Sequence, residues 1–155
     1  MLIDSHCHLE YKGLVEDQQG VLARARDAGV GGFLSISTRQ REWQQVIATA
    51  ERESDVWASV GIHPHEADAH ADMGEAALLE AAAHPRVIAI GETGLDYYYD
   101  HSDRATQAAL FRIHLAVARE TGLPVRIADN PLDCVALGAG RALEDDAYKG
   151  VLHTV

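Results

Sequence analysis

Runs of apolar and β-branched residues of strand length alternate along the chain with longer stretches in which apolar residues recur every three or four positions. Leu2–His6 predicts a first strand, and a helix follows over about Gln18–Ala28, ending at Gly29. Val30–Ser37 predicts the second strand. Thr38 is placed as a helix N-cap, with Glu42 near the first turn and Trp43, Val46, Ile47 and Ala50 at helical spacing. Val56–His63 predicts the third strand, Gly74–Ala83 an Ala/Leu-rich helix, and Val87–Ile90 a fourth strand that runs into Gly91 and Glu92. The longest helix, about Asp103–Thr121, is expected to bury a face of Ala109, Leu110, Ile113, Ala116 and Val117 and to stop at Gly122. Pro124–Ile127 and Gly150–Val155 read as fifth and sixth strands. Strands joined through helices need crossover connections, which are right-handed and generate a parallel sheet. The pattern predicts an α/β protein with one domain over residues 1–155.

The carboxyl ends of these strands carry the chain's unusual polar chemistry, and that is where functional residues gather in α/β barrels and open α/β sheets. Strand side chains alternate with period two, so His6 and His8 point to the same side. Two neutral nitrogen donors suit zinc, manganese or iron better than calcium. Glu92 follows a strand expected to be buried, where a carboxylate is costly unless it is paired or binds a cation. It either faces a metal, caps the following helix, or pairs with an arginine such as Arg86. His63 and His65 end the third strand at the same spacing as the first pair, with Pro64 fixing the turn between them. His63 suits donation to a substrate phosphate or to a metal-held water, with His65 in support; the alternative is a hydrogen-bonded loop. His70, His84, His101 and His114 lack partner spacing and read as ordinary surface or helix residues.

Charge narrows the function. Lys and Arg number 13 against 24 Asp and Glu, a formal net charge of −11. A basic surface that grips nucleic acid regardless of sequence is therefore not expected. Bound divalent cations reverse the sign locally, and a metal site can hold a phosphate that the bare protein repels. Cys7 and Cys134 are the two cysteines and form no CxxC pair, so the expected compartment is the reducing cytoplasm. The N-terminal residues show no basic segment followed by a long apolar run, and no membrane span is expected.

Together, Ser5-His6-Cys7-His8-Leu9, Gly61-Ile62-His63-Pro64-His65, Ile90-Gly91-Glu92-Thr93-Gly94-Leu95-Asp96-Tyr97-Tyr98 and Gly150-Val151-Leu152-His153 resemble the TatD-like metal-dependent deoxyribonucleases of the amidohydrolase superfamily. The resemblance runs from Met1 to about Val125 and resumes at Lys149–His153. It implies a distorted TIM barrel with a one- or two-metal site that hydrolyses phosphodiester bonds of DNA. His6, His8, Glu92 and His153 would be ligands to divalent ions of the magnesium, manganese or zinc kind, with Glu92 bridging two of them as the central catalytic group. His63 and His65 would contact substrate.

The chain departs from that family pattern after the fifth predicted strand. Ala128 stands where the family has a metal-binding His, and Pro131, Gly138 and Gly140 interrupt what would be a helix. Asp129, displaced by one position, would face the opposite side of a regular strand. About six strands are predicted, where an eight-stranded barrel takes roughly 200 residues or more. A truncated reading frame would explain both departures, the alternative being a genuine short homologue, and the uncovered first and sixth strands would favour a homo-oligomer. Three functions compete: a TatD-like hydrolase with reduced turnover, a non-catalytic remnant that binds metal or a partner chain, and a relative acting on amide or ester bonds. The Gly91–Tyr98 segment favours the first over the third, because it belongs to the TatD-like pattern in particular.

Overall fold

A computed structural model describes residues 2–124. Four parallel strands lie in the order β1-β2-β3-β4: β1 Leu2–Cys7, β2 Val30–Ile36, β3 Val56–Val60 and β4 Val87–Ile90. Each is separated from the next by a helix, α1 Gln18–Asp27, α2 Trp43–Arg52 and α3 Glu75–Ala82, while α4 Arg104–Thr121 follows β4. This is the α/β arrangement expected from the alternating periods. The predicted strands at 124–127 and 150–155, with Ala128, Asp129 and His153, lie outside the described residues apart from Pro124, as does the last part of the single domain expected over 1–155. Among the described residues, β1 and β4 are each paired on one side only, and no helix is long and apolar enough to cross a membrane.

The core lies between the sheet and the helices. Phe33, Val56, Ala58 and Val60 from the strands meet Leu22, Trp43, Val46, Ala50, Leu78, Leu110 and Val117 from the helices. The spacing of Trp43, Val46 and Ala50 puts one stripe of α2 against the sheet, as predicted. Two local expectations need correction. Thr38 does not cap α2. Instead Glu42 reaches back, and its Oε2 accepts from the backbone N–H of Thr38 (2.9 Å) and of Arg39 (3.2 Å) and from the Thr38 hydroxyl (3.0 Å), while a 3-10 turn at Gln40–Glu42 leads into the helix. The buried face of α4 is Gln107, Leu110, His114, Val117 and Ala118, leaving Ala109 exposed. That face carries two polar residues whose hydrogen bonds are made inside the protein, which hydrophobic periodicity does not reveal. The ends of α4 match expectation: Asp103 Oδ1 accepts from the N–H of Ala105 (2.9 Å) and Thr106 (3.0 Å), and Gly122 closes the helix at φ 73°.

Candidate metal centre

Three strand ends, those of β2, β3 and β4, are tied together by a small polar network. Ser37 Oγ donates to the Ser59 carbonyl (3.0 Å) and accepts from Gly61 N–H (3.2 Å), and Ser59 Oγ donates to the Gly91 carbonyl (2.7 Å). The backbone N–H of Glu92 donates to the Ser37 carbonyl at 2.9 Å. Glu92 is thereby held over the ends of β2 and β3. Gly61 makes this approach feasible, since a Cβ there would lie 2.5 Å from the carbonyl carbon of Gly91, 2.6 Å from its Cα and 2.8 Å from the carbonyl oxygen of Glu92. All three are backbone atoms, so an added methyl forces β3 and the Gly91–Glu92 segment apart. Gly61→Ala is expected to cost about 1–3 kcal/mol of stability, the usual range for overpacking, and to weaken metal binding, read by thermal melts and a manganese titration.

Glu92 faces the first histidine pair. Its Oε2 lies 3.7 Å from His6 Nε2 and 3.9 Å from His8 Nε2, and one ligand atom from each of the three residues falls within 4.8 Å of the others. These separations exceed hydrogen-bonding distance. His8 Nδ1 sits 3.0 Å from the Ile36 carbonyl and must donate to it, which leaves the Nε2 lone pair free and aimed at Glu92. The ring of His8 stacks on Tyr11 with centroids 4.4 Å apart, and the Tyr11 hydroxyl lies 3.2 Å from Thr38 Oγ1. Three donors thus converge without bonding one another, as groups that could share one cation do. The donor set, two imidazoles and a carboxylate, suits zinc or manganese and also magnesium through its oxygen. Cys7, between the two histidines, turns to the other face: its thiol bonds the Leu34 carbonyl at 3.4 Å, and burial, helped by the charge of Asp4, pushes its pKa up to about 12. It stays a neutral thiol, not a ligand.

The alternatives for Glu92 do not hold. Arg86 spends its guanidinium on the backbone carbonyls of Ala50 (2.7 Å), Glu53 (2.9 Å), Ser54 and Val56, and the cap of α4 is Asp103.

The second pair lines a polar cavity of about 280 Å³ together with His8, Tyr11, Arg39 and Glu92 among others. His63 Nδ1 accepts from the His65 N–H at 3.1 Å, so a neutral ring carries its proton on Nε2, 3.9 Å from Glu92 Oε1. Burial holds the His63 pKa below the ordinary histidine value despite the opposing charge of Glu92. His63 therefore presents an N–H to the cavity. His65 Nε2 lies 2.6 Å from Asp96 Oδ2, and chiefly this contact brings the Asp96 pKa down to about 2.

Tyr11, Arg39 and Asp96 complete the surroundings and were not predicted. Arg39 is held by Glu66 (2.5 Å) and Glu42 (3.1 Å), which raise its pKa, Glu66 foremost. Only Asp96 had a signal in the sequence, four residues after Glu92 in the motif. Tyr11 and Arg39 reach the cavity through chain reversals that leave no local pattern.

His114 corrects an expectation. It is 1% exposed, donates from Nδ1 to the Leu110 carbonyl (2.7 Å), and accepts the Ile62 N–H on Nε2 (3.0 Å). It is a buried strut between α4 and the strand end that carries His63. His70 and His84 stay at the surface, paired with the Glu66 carbonyl (2.8 Å) and Glu51 (3.1 Å).

Comparison with known proteins identifies relatives of this chain. The 3'-5' ssDNA/RNA exonuclease TatD of Shigella flexneri is 38% identical over 124 residues, which are 80% of this chain and 48% of that protein. The protein of the same name from Escherichia coli K12 is 36% identical over 124 residues, with the same coverage. The crystal structure of YJJV, a TatD homologue of Escherichia coli K12, superposes with a TM-score of 0.74 at 32% identity, covering 80% of this chain and 49% of that one. A TatD-family hydrolase of Entamoeba histolytica, 23% identical, shares the fold with a TM-score of 0.69, covering 92% of this chain and 55% of that one. The fold is of the TIM-barrel type, and the chain spans about half the length of the curated relatives it matches. The family model described as TatD related DNase matches residues 3–154, and on this evidence the chain belongs to that family.

Proposed function

We propose that this protein hydrolyses phosphodiester bonds of nucleic acid, DNA in the first instance, with one or two divalent ions held by His6, His8 and Glu92. The observation that carries the reading is the convergence of those three donors within 4.8 Å, with no hydrogen bond among their ligand atoms. His153 is proposed as a further ligand, from its place in the Gly150–His153 motif. Magnesium, manganese or zinc, when bound, supplies the Lewis acidity that activates water and offsets the charge of phosphate oxygens. The chain's own residues do the rest. Glu92 divides its two oxygens between the His6–His8 side and His63. His63 donates its Nε2 proton to a phosphate oxygen, and the His65 backbone N–H fixes the tautomer that permits this. His65 is held in turn by Asp96. The relatives named ssDNA/RNA exonucleases support this reading over amide or ester hydrolysis. The two cysteines outside any paired motif support a cytoplasmic location.

The test is cleavage of end-labelled single-stranded DNA with manganese, by wild type and by the double variant His6→Ala with His8→Ala, followed on gels. Wild type is expected to cleave only with the metal, and the double variant to lose at least about 100-fold, more than loss of groups that merely support ligands. Equal cleavage by the two proteins would overturn the assignment.

A further inference from the structure

Tyr97, Tyr98 and Tyr99 lie in the segment between β4 and α4, and all three are exposed: Tyr98 by 85% and Tyr99 by 62%. Large rings stabilise a fold when buried, so rings displayed to solvent on a firmly anchored segment point to a ligand. The anchoring is extensive. Asp96 Oδ1 accepts from the backbone N–H of Tyr98 (2.9 Å) and Tyr99 (3.1 Å), while its N–H donates to the buried side chain of Gln107 (2.8 Å). Gln107 Nε2 donates back to the carbonyls of Asp96 (3.0 Å) and Ser102 (2.9 Å). Tyr97 is engaged internally, under the guanidinium of Arg104 at 4.9 Å, whereas Tyr98 and Tyr99 present open ring surface.

These rings connect to the candidate metal centre. From His63, whose Nε2 lies 3.9 Å from Glu92, ring neighbours follow at 4.4 Å (His65), 5.7 Å (Tyr99) and 4.8 Å (Tyr98). His101 lies parallel to Tyr99 and 4.5 Å from His65, bracing the row. A row that starts at a phosphate donor and ends in exposed aromatic faces matches a ligand with a phosphodiester at one end and a flat ring at the other. The carboxylates nearby are already committed, Asp96 to His65, Asp100 to Arg104 and Asp103 to the start of α4. Residues 93–103 contain no Lys or Arg, and the neighbouring Arg104 is held by Asp100 and Tyr97, so contact here relies on stacking. Tyr98 and Tyr99 are nearly perpendicular (89°), so a base laid on one face meets the edge of the other ring. A base still paired in a duplex cannot enter that corner.

We propose that Tyr98 and Tyr99 form a stacking corner for an unpaired nucleobase of the strand whose phosphodiester lies between Glu92 and His63. The inference rests on the phosphodiesterase reading above and adds residues that select single strands.

The experiment uses the full chain in manganese with two phosphorothioate-linked tetranucleotides, one bearing 2-aminopurine and one abasic at the same position. Wild type is expected to quench 2-aminopurine fluorescence and to bind the base-bearing strand at least about five-fold more tightly than the abasic one, the lower end of what one stacked base contributes. Tyr98→Ala with Tyr99→Ala should bind both strands equally without quenching, and Tyr98→Phe with Tyr99→Phe should retain the preference. Tyr98→Ala alone, at a site too exposed to matter for packing, should reduce the preference in a protein whose melt is unchanged. Equal binding of the two strands by wild type, or quenching that survives in the double alanine variant, overturns the stacking corner and leaves the phosphodiesterase reading intact. Binding of neither strand by wild type overturns both.

Discussion

Glu92→Gln is expected to lower manganese or zinc affinity by at least about 100-fold and to reduce metal-dependent DNA cleavage correspondingly. The amide keeps the size of the side chain, so the effect isolates charge and ligation. One oxygen of Glu92 completes the donor set with His6 and His8 while the other faces His63. The amide retains one neutral oxygen and puts an N–H₂ in place of the other, and whichever side receives the N–H₂ loses its acceptor. Replacing groups that only orient ligands costs 10- to 100-fold in metal affinity, so loss of a ligand sets the higher figure. Isothermal titration with manganese measures it directly. Affinity within about three-fold of wild type would place the metal elsewhere.

His114→Ala is expected to destabilise the protein by about 2–4 kcal/mol, from a buried donor left without its acceptor together with the cavity left by the ring. The deprived donor is the backbone N–H of Ile62, one residue before His63, so the change should also loosen the wall of the site. The pH dependence has a definite sign. Burial holds the His114 pKa below its ordinary value, against the opposing hydrogen bond to Leu110, so the folded protein keeps this ring neutral where the unfolded chain protonates it. The stability it contributes is present above the unfolded value of about 6.5 and is lost as pH falls through the folded one. Denaturant melts of wild type and variant should differ most near pH 8 and converge towards pH 5. A constant difference over that range would mean that the ring does not titrate in this window.

Alternation of periods was enough to identify four strands and four helices in order. Parallel strands with crossover helices leave a strong pattern, because each element must bury one face or both. His6, His8 and Glu92 were legible for a related reason. A strand of period two sets the two histidines side by side, and a carboxylate after an apolar strand needs a partner. Which partner Glu92 takes was a tertiary decision. Arg86, near in sequence, is drawn away by four backbone carbonyls, while the Ser37–Ser59–Gly61 network brings Glu92 across two strand ends to the histidines.

Local pattern failed where polar side chains are satisfied at long range. Gln107 and His114 sit on the buried face of α4 because the backbones of Asp96, in the preceding loop, and Ile62, 52 residues away, supply their hydrogen bonds. Tyr11 reaches Thr38, and Arg39 reaches Glu66, for reasons that exist only once the sheet has formed. The chain by itself thus determined the order of elements and the chemical types at the strand ends, since both follow from period and side-chain chemistry. Tertiary structure alone decided the His8 tautomer, the pairing of Arg39 with Glu66 and the placing of Glu92 beside the histidines, because each depends on groups that packing brings within a few ångströms across long stretches of sequence.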